Sequence, residues 1–266
     1  CSLFERDNIV GIEEGGFKQA EAVFHDCHMQ VVKLPVDDKG ITIEGLKKAN
    51  LKLLYLNSSS GGYHGHPIKQ QRRLEIIEYA QENDVYIIED DHNGELKFNT
   101  KPIDAMAKLD NDHIIYIGSF SKLLLPSIRI SYMALPDQLL SLFKQKSDGY
   151  HQTASKLEQL ALAMYIEDGQ LSRHLRRLRK HYRDKSEHLL KNLQQAFPNY
   201  TFDLYETALK ITMSVEIDLI DKFIEIAKKH DILVYKNRNN QITLSFSGIL
   251  DQDIDQATNI LKDIWQ

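Results

Sequence analysis

The run Asp84-Val85-Tyr86-Ile87-Ile88-Glu89-Asp90 decides how the chain is built. Its middle is apolar at consecutive positions, and it ends in acids. A strand of that texture is buried on both faces, which belongs to a mainly parallel sheet covered by helices. Outward from it the same texture recurs at residues 8–12, 30–36, 52–56, 113–118 and 129–135. Helical patterns separate these strands at residues 17–25 and 67–83. Pro67 is expected to open the second helix, because the first helical N–H needs no partner. Pro35 and the turn Asp37-Asp38-Lys39-Gly40 close the strand at 30–36.

From residue 138 to 197 the pattern is helical almost throughout, broken near Asp168-Gly169. Strands are then expected at 201–205, 209–215, 233–235 and 241–247, with helices at 218–230 and 251–265. The fold class expected is therefore α/β, with a large, mainly parallel domain over residues 1–168 and a smaller α+β domain over 169–266.

Composition sets the outer limits. A chain of 266 residues, 42% hydrophobic and 27% charged, has the balance of an ordinary globular protein. No apolar run approaches the roughly 20 residues that span a bilayer. The start, Cys1-Ser2-Leu3-Phe4-Glu5-Arg6-Asp7, lacks the basic and apolar regions of a secretory signal, so a cytoplasmic location is expected. Cys1 and Cys27 give neither a disulfide framework nor a metal cluster. A net charge of −5 argues against nucleic-acid binding by the chain as a whole. The basic run at 173–183 reads as a solvated helix face, with Leu171, Leu175, Leu178 and Tyr182 turned to a core.

In doubly wound sheets ligands sit at the carboxyl ends of the strands. Three such ends carry chemistry here. One offers Glu89, Asp90, Asp91 and His92; the next Ser119, Ser121 and Lys122; the third Arg129. Hydroxyls and a guanidinium suit a phosphate, because they supply several donors to its oxygens. A lysine beside them, partly desolvated, can attack an aldehyde as the neutral amine. An ionised Asp90 against a pyridine nitrogen would keep that nitrogen protonated and make the ring an electron sink. On these residues alone, an exposed Ser-x-x-Lys loop and an acidic metal site or helix cap stay open.

The stretch Ile87-Ile88-Glu89-Asp90-Asp91-His92-Asn93-Gly94-Glu95-Leu96, followed by Gly118-Ser119-Phe120-Ser121-Lys122 and Pro126-Ser127-Ile128-Arg129, resembles the aminotransferase-like domain of MocR/GabR-type regulators of the GntR family. These belong to the class I aminotransferase group of fold type I. The resemblance extends through Leu157-Glu158-Gln159-Leu160-Ala161 and His174-Leu175-Arg176-Arg177-Leu178-Arg179, nearly the whole chain. It implies pyridoxal 5'-phosphate as cofactor, held by Lys122 as a Schiff base. It further implies Asp90 as partner of the ring nitrogen and Ser119, Arg129 and Ser121 as phosphate ligands. A homodimer is expected on the same ground.

The sequence departs from that family in four places. His92 stands where the family has a tyrosine; a histidine can still donate to the ring's phenolic oxygen. The loop Ser58-Ser59-Ser60-Gly61-Gly62-Tyr63-His64-Gly65 lacks the family's prolines, and His64 and His66 read as polar loop residues rather than metal ligands. Thr243 replaces the arginine that clamps a substrate carboxylate, and a hydroxyl cannot form that bidentate pair. Arg238 lies in what reads as a solvated turn. Finally, the resemblance places the first residue inside the large domain, without the family's preceding segment and its winged helix-turn-helix. The expectation is a cofactor-binding sensor of an amine or amino-acid-like effector, reaching DNA only through that helix-turn-helix. An active class I aminotransferase and a truncated relative that binds cofactor poorly are the alternatives.

Overall fold

Strand β1 (Ile9–Glu13) and β2 (Gln30–Leu34) pair in parallel around helix α1 (Lys18–Asp26). This structure is a computed structural model and describes residues 1, 3–59, 67–91, 94–99, 104–237 and 239–265. The strand expected at 30–36 stops at Leu34. Pro35, which has no N–H to give a ladder, turns the chain into a hairpin of β3 (Val36–Asp37) and β4 (Gly40–Ile41). Gly40, at φ +129°, makes that turn possible. Helix α2 (Ile43–Lys48) follows, a short helix that the sequence pattern did not reveal. The Thr42 hydroxyl caps it by accepting from Gly45 N at 3.3 Å.

β5 (Leu53–Leu56), helix α3 (Gln70–Glu82), β6 (Tyr86–Asp90), β7 (Ile114–Ser119) and β8 (Ser131–Ala134) complete a six-stranded sheet in the order β2-β1-β5-β6-β7-β8. All its pairings are parallel except β7 with β8. Alternate residues feed two cores. Leu54, Leu56, Ile87 and Ile114 pack with α2 and α3, while Leu53, Tyr55, Ile88 and Ile115 pack with Phe24 and Leu139. Burial on both faces is why these strands read as unbroken apolar runs.

Two helix boundaries differ from expectation. Pro67 does not open α3; the chain stays extended to residue 69, which lets Ile68 bury to 1% exposure. The long helical tract is also interrupted twice rather than once. Helices α4 (Asp137–Ser147) and α5 (Lys156–Glu167) are separated by residues 148–155. Gly149 disfavours a helix there, and the Ser155 hydroxyl starts the next one by accepting from Glu158 N.

Contacts divide the chain into two compact units, Cys1–Glu95 with Pro102–Leu171 and Leu96–Lys101 with Ser172–Gln266. The second unit holds most of helix α6 (Gln170–Ala196), then β9 (Thr201–Tyr205), β10 (Lys210–Ser214), α7 (Ile217–Lys229), β11 (Tyr235–Lys236), β12 (Ile242–Ser245) and α8 (Ile254–Trp265). Its antiparallel sheet runs β11-β12-β10-β9. Ile211, Met213, Ile242 and Leu244 face a core shared with Leu189, Leu193, Phe223 and Trp265. The core face of α6 begins later than its leucine stripe suggests. Leu171, Leu175, Leu178 and Tyr182 are half-buried, and full burial starts at Lys185.

Candidate functional site

Parallel pairing carries the ends of β5, β6 and β7 to one edge of the first unit. Asp90 closes β6 and pairs with Ile117, two residues before Ser119 closes β7. A backbone bond from Phe120 N to Ile130 O (3.0 Å) folds the segment between β7 and β8 back on itself. Lys122 lies in a tight turn there, in which Leu123 N and Leu124 N both donate to Phe120 O. The Ser119 hydroxyl accepts from Ser121 N at 3.3 Å, which fixes its oxygen and leaves its own proton free to rotate. Arg129 is exposed and sits at φ +44°, a left-handed conformation that costs a side-chain-bearing residue of order 1 kcal/mol and so needs surrounding structure to hold it.

Lys122 keeps its side chain open to solvent. The protein around it still removes enough water to lower the amine's pKa, while the negative charge of Asp90 opposes that fall. The two groups are therefore close enough to interact. Asp90 also receives a short hydrogen bond from the Tyr55 hydroxyl. Burial drives the Tyr55 pKa up, helped by the charge of Asp90, by the bond itself and by Glu13. Asp91 is turned elsewhere: it accepts from Tyr116 (3.1 Å) and from Gly94 N (2.9 Å).

Behind these strand ends lies a hub that sequence reasoning did not find. Glu89 is fully buried and accepts from the Ser58 hydroxyl (2.6 Å), Met106 N (2.9 Å) and Ala107 N (3.0 Å). The Arg73 guanidinium, 2% exposed, lies 3.7 Å from it and donates to the carbonyls of Ile68, Asp104 and Ser58 at 2.7–2.9 Å. One ion pair thus ties α3, the residue after β5's loop begins, the end of β6 and the turn at residue 106. Its sequence trace is the second arginine of Gln71-Arg72-Arg73-Leu74, which nothing local distinguishes from a surface cation.

His92 lies outside the described residues, as do Arg238, His64, His66 and all of the Ser58–Gly65 loop except Ser58 and Ser59, which are buried. Thr243 belongs to β12 of the second unit, opposite Thr212. Its hydroxyl is buried with no hydrogen-bond partner among the described residues. Leaving such a group unpaired costs about 1–3 kcal/mol. Thr243→Val is therefore expected to raise the stability of the second unit by about 1 kcal/mol, read as a higher urea midpoint. A lower midpoint would mean that the hydroxyl is partnered. No helix among the described residues is long and apolar enough to cross a membrane.

A mostly parallel sheet, with a lysine turn after one strand and an acid ending the strand beside it, is the architecture of fold type I pyridoxal-phosphate transferases. The chain belongs to the family "Aminotransferase class I and II", whose model matches residues 1–245. It is 34% identical over its whole length to the HTH-type transcriptional regulator YdeL of Bacillus subtilis, covering 60% of that protein. To the probable rhizopine catabolism regulatory protein MocR of Rhizobium meliloti it is 31% identical over 70% of this chain and 38% of that protein. The chain thus spans at most about three-fifths of these regulators. Among solved structures, the multiple substrate aminotransferase of Thermococcus profundus superposes with a TM-score of 0.79 at 20% identity, over 98% of this chain and 70% of that one. The fold is shared at that distance, and the family's cofactor is pyridoxal phosphate.

Proposed function

We propose that the chain is the cofactor-carrying, effector-sensing part of a MocR-type transcriptional regulator, built as a large domain over residues 1–168 and a small one over 169–266. The observation that carries this reading is the Lys122 amine, its pKa lowered by burial, within electrostatic reach of Asp90 at adjoining strand ends. The donor set suits the cofactor: Ser119, Ser121 and Arg129 for a phosphate, a lysine for an aldehyde, and a carboxylate for a ring nitrogen. When bound, pyridoxal phosphate supplies a reactive carbonyl carbon and an electron-withdrawing ring.

Each residue then has a task. Lys122 would hold the cofactor, and its neutral amine would be the group an effector's amine competes with. Asp90 would keep the ring nitrogen protonated, and His92 would supply a donor on the ring's oxygen side. Ser119, Ser121 and Arg129 would neutralise the phosphate. An amine or amino-acid-like effector shifts the balance between two conformations by binding one of them better. A homodimer in the cytoplasm, contacting DNA through a helix-turn-helix outside this chain, completes the reading. The relatives' regulator names and the neutral Thr243, which cannot clamp a carboxylate bidentately, both favour sensing over turnover.

An active aminotransferase is the second reading, favoured by family membership and by the Lys122–Asp90 pair. Incubating the protein and cofactor with a panel of amino acids and a keto acid separates the two. Binding seen as absorbance changes without product supports the sensor, and steady turnover overturns it. Reading the gene on its 5′ side gives an independent answer, since a plain aminotransferase start there would also end the regulator reading.

A further inference from the structure

Tyr55 is a buried polar side chain to which the proposed site gives no task. It is 7% exposed, lies in the middle of β5, and pairs in register with Ile12 of β1 and Ile88 of β6. Its ring is held edge-on against Phe24, with centroids 5.9 Å apart. From there the hydroxyl reaches Asp90, two residues beyond its own register partner. Glu13, itself 4% exposed at the end of β1, is near enough for its charge to act on the same hydroxyl. An aromatic side chain has two rotatable bonds, and this one is clamped by packing, so its hydroxyl is a fixed donor rather than a mobile one.

We infer that Tyr55 is a positioning residue of the cofactor site: by donating to Asp90 it fixes the carboxylate plane and keeps Asp90 ionised toward the ring nitrogen. This rests on the proposal that pyridoxal phosphate occupies the Lys122 site. The electrostatics favour a permanent donor. Burial, the Asp90 charge and Glu13 all hold the Tyr55 proton on oxygen, so the hydroxyl always faces the carboxylate as O–H. An ionised carboxylate loses a charge-assisted bond if that donor is removed. The ring nitrogen is the route that a nitrogen-free cofactor removes, whereas any effect through the Asp90 charge on Lys122 is common to both cofactors. That makes the first separable from a general loss of packing.

Tyr55→Phe keeps the ring and removes only the donor. The expected result is roughly tenfold or greater loss of pyridoxal-phosphate affinity, the usual range for a hydrogen bond to a charged group. A shifted visible absorption of the bound cofactor should accompany it. The decisive probe is the deaza analogue of pyridoxal phosphate, in which carbon replaces the ring nitrogen. Wild type and Tyr55→Phe should bind that analogue equally, and in an Asp90→Asn background Tyr55→Phe should cost almost nothing. Equal losses with both cofactors would mean that Tyr55 serves packing alone and would overturn the inference. So would an unchanged affinity for pyridoxal phosphate. Should wild type itself fix no cofactor on Lys122, the occupancy proposal falls, and this inference falls with it. A wild type that binds normally beside an unaffected variant removes only the role of Tyr55.

Discussion

Lys122→Ala is expected to abolish covalent capture of pyridoxal phosphate. In wild type, borohydride reduction after loading should leave a single labelled peptide containing Lys122; in the variant the label should fall to background. The physical reason is reactivity rather than proximity alone. Burial lowers the Lys122 pKa, so at a given pH more of the amine is neutral and nucleophilic than in an ordinary lysine. Lys210 supplies the control. Its amine is also pulled down by burial, and its Nζ stands 5.2 Å over the Tyr205 ring; among the described residues no charge opposes that fall. Lowered pKa without an Asp90 opposite should not suffice, so Lys210→Ala should keep the full label. A label on Lys210, or one that survives Lys122→Ala, would end the site assignment.

The second large effect is on stability. Arg73→Met should destabilise the first unit by about 3–5 kcal/mol, the range for breaking a buried ion pair from one side. The substitution leaves Glu89 fully buried without the guanidinium beside it. It also strips a donor from the carbonyls of Ile68, Asp104 and Ser58. Urea unfolding followed by a probe in the first unit measures it. Removing both charges, Arg73→Met with Glu89→Leu, should recover only part of the loss, because the carbonyls of Ile68, Asp104 and Ser58 still lack the guanidinium and the N–H groups of Met106 and Ala107 now lose their carboxylate. A loss under about 1 kcal/mol in the single variant would show that water replaces the guanidinium easily.

The fold was legible where burial writes itself into a local pattern. The strands at Tyr86–Asp90 and Ile114–Ser119 announce themselves because both faces are covered, and their ends point to Asp90, Ser119 and Lys122 without any coordinates. What stayed hidden depends on register and on distance along the chain. Tyr55 looks like one more apolar strand residue until β5 is laid beside β6 and its hydroxyl meets a residue 35 positions away. Arg73 looks like a solvated helix cation until Glu89 is placed under it, 16 positions on in sequence. The interruption at residues 148–155 was missed because a short break between two helices keeps the composition of both. Pro67 misled for a different reason: a favourable first-turn residue is outweighed by the gain from burying the neighbouring Ile68.

Strand β8 has one more consequence. Among the described residues it ends the sheet and pairs with β7 alone, and Ser131, Tyr132, Met133 and Ala134 are all exposed. An open ladder offers its amides and carbonyls to any extended segment that drifts alongside, and proteins defend such margins by keeping them short, as here, or with lysine, proline or a bulge. Ser-Tyr-Met-Ala carries neither lysine nor proline. Concentrating this chain is therefore expected to raise light scattering before the far-ultraviolet signal is lost; unchanged scattering would show that a four-residue margin is too short to template a partner.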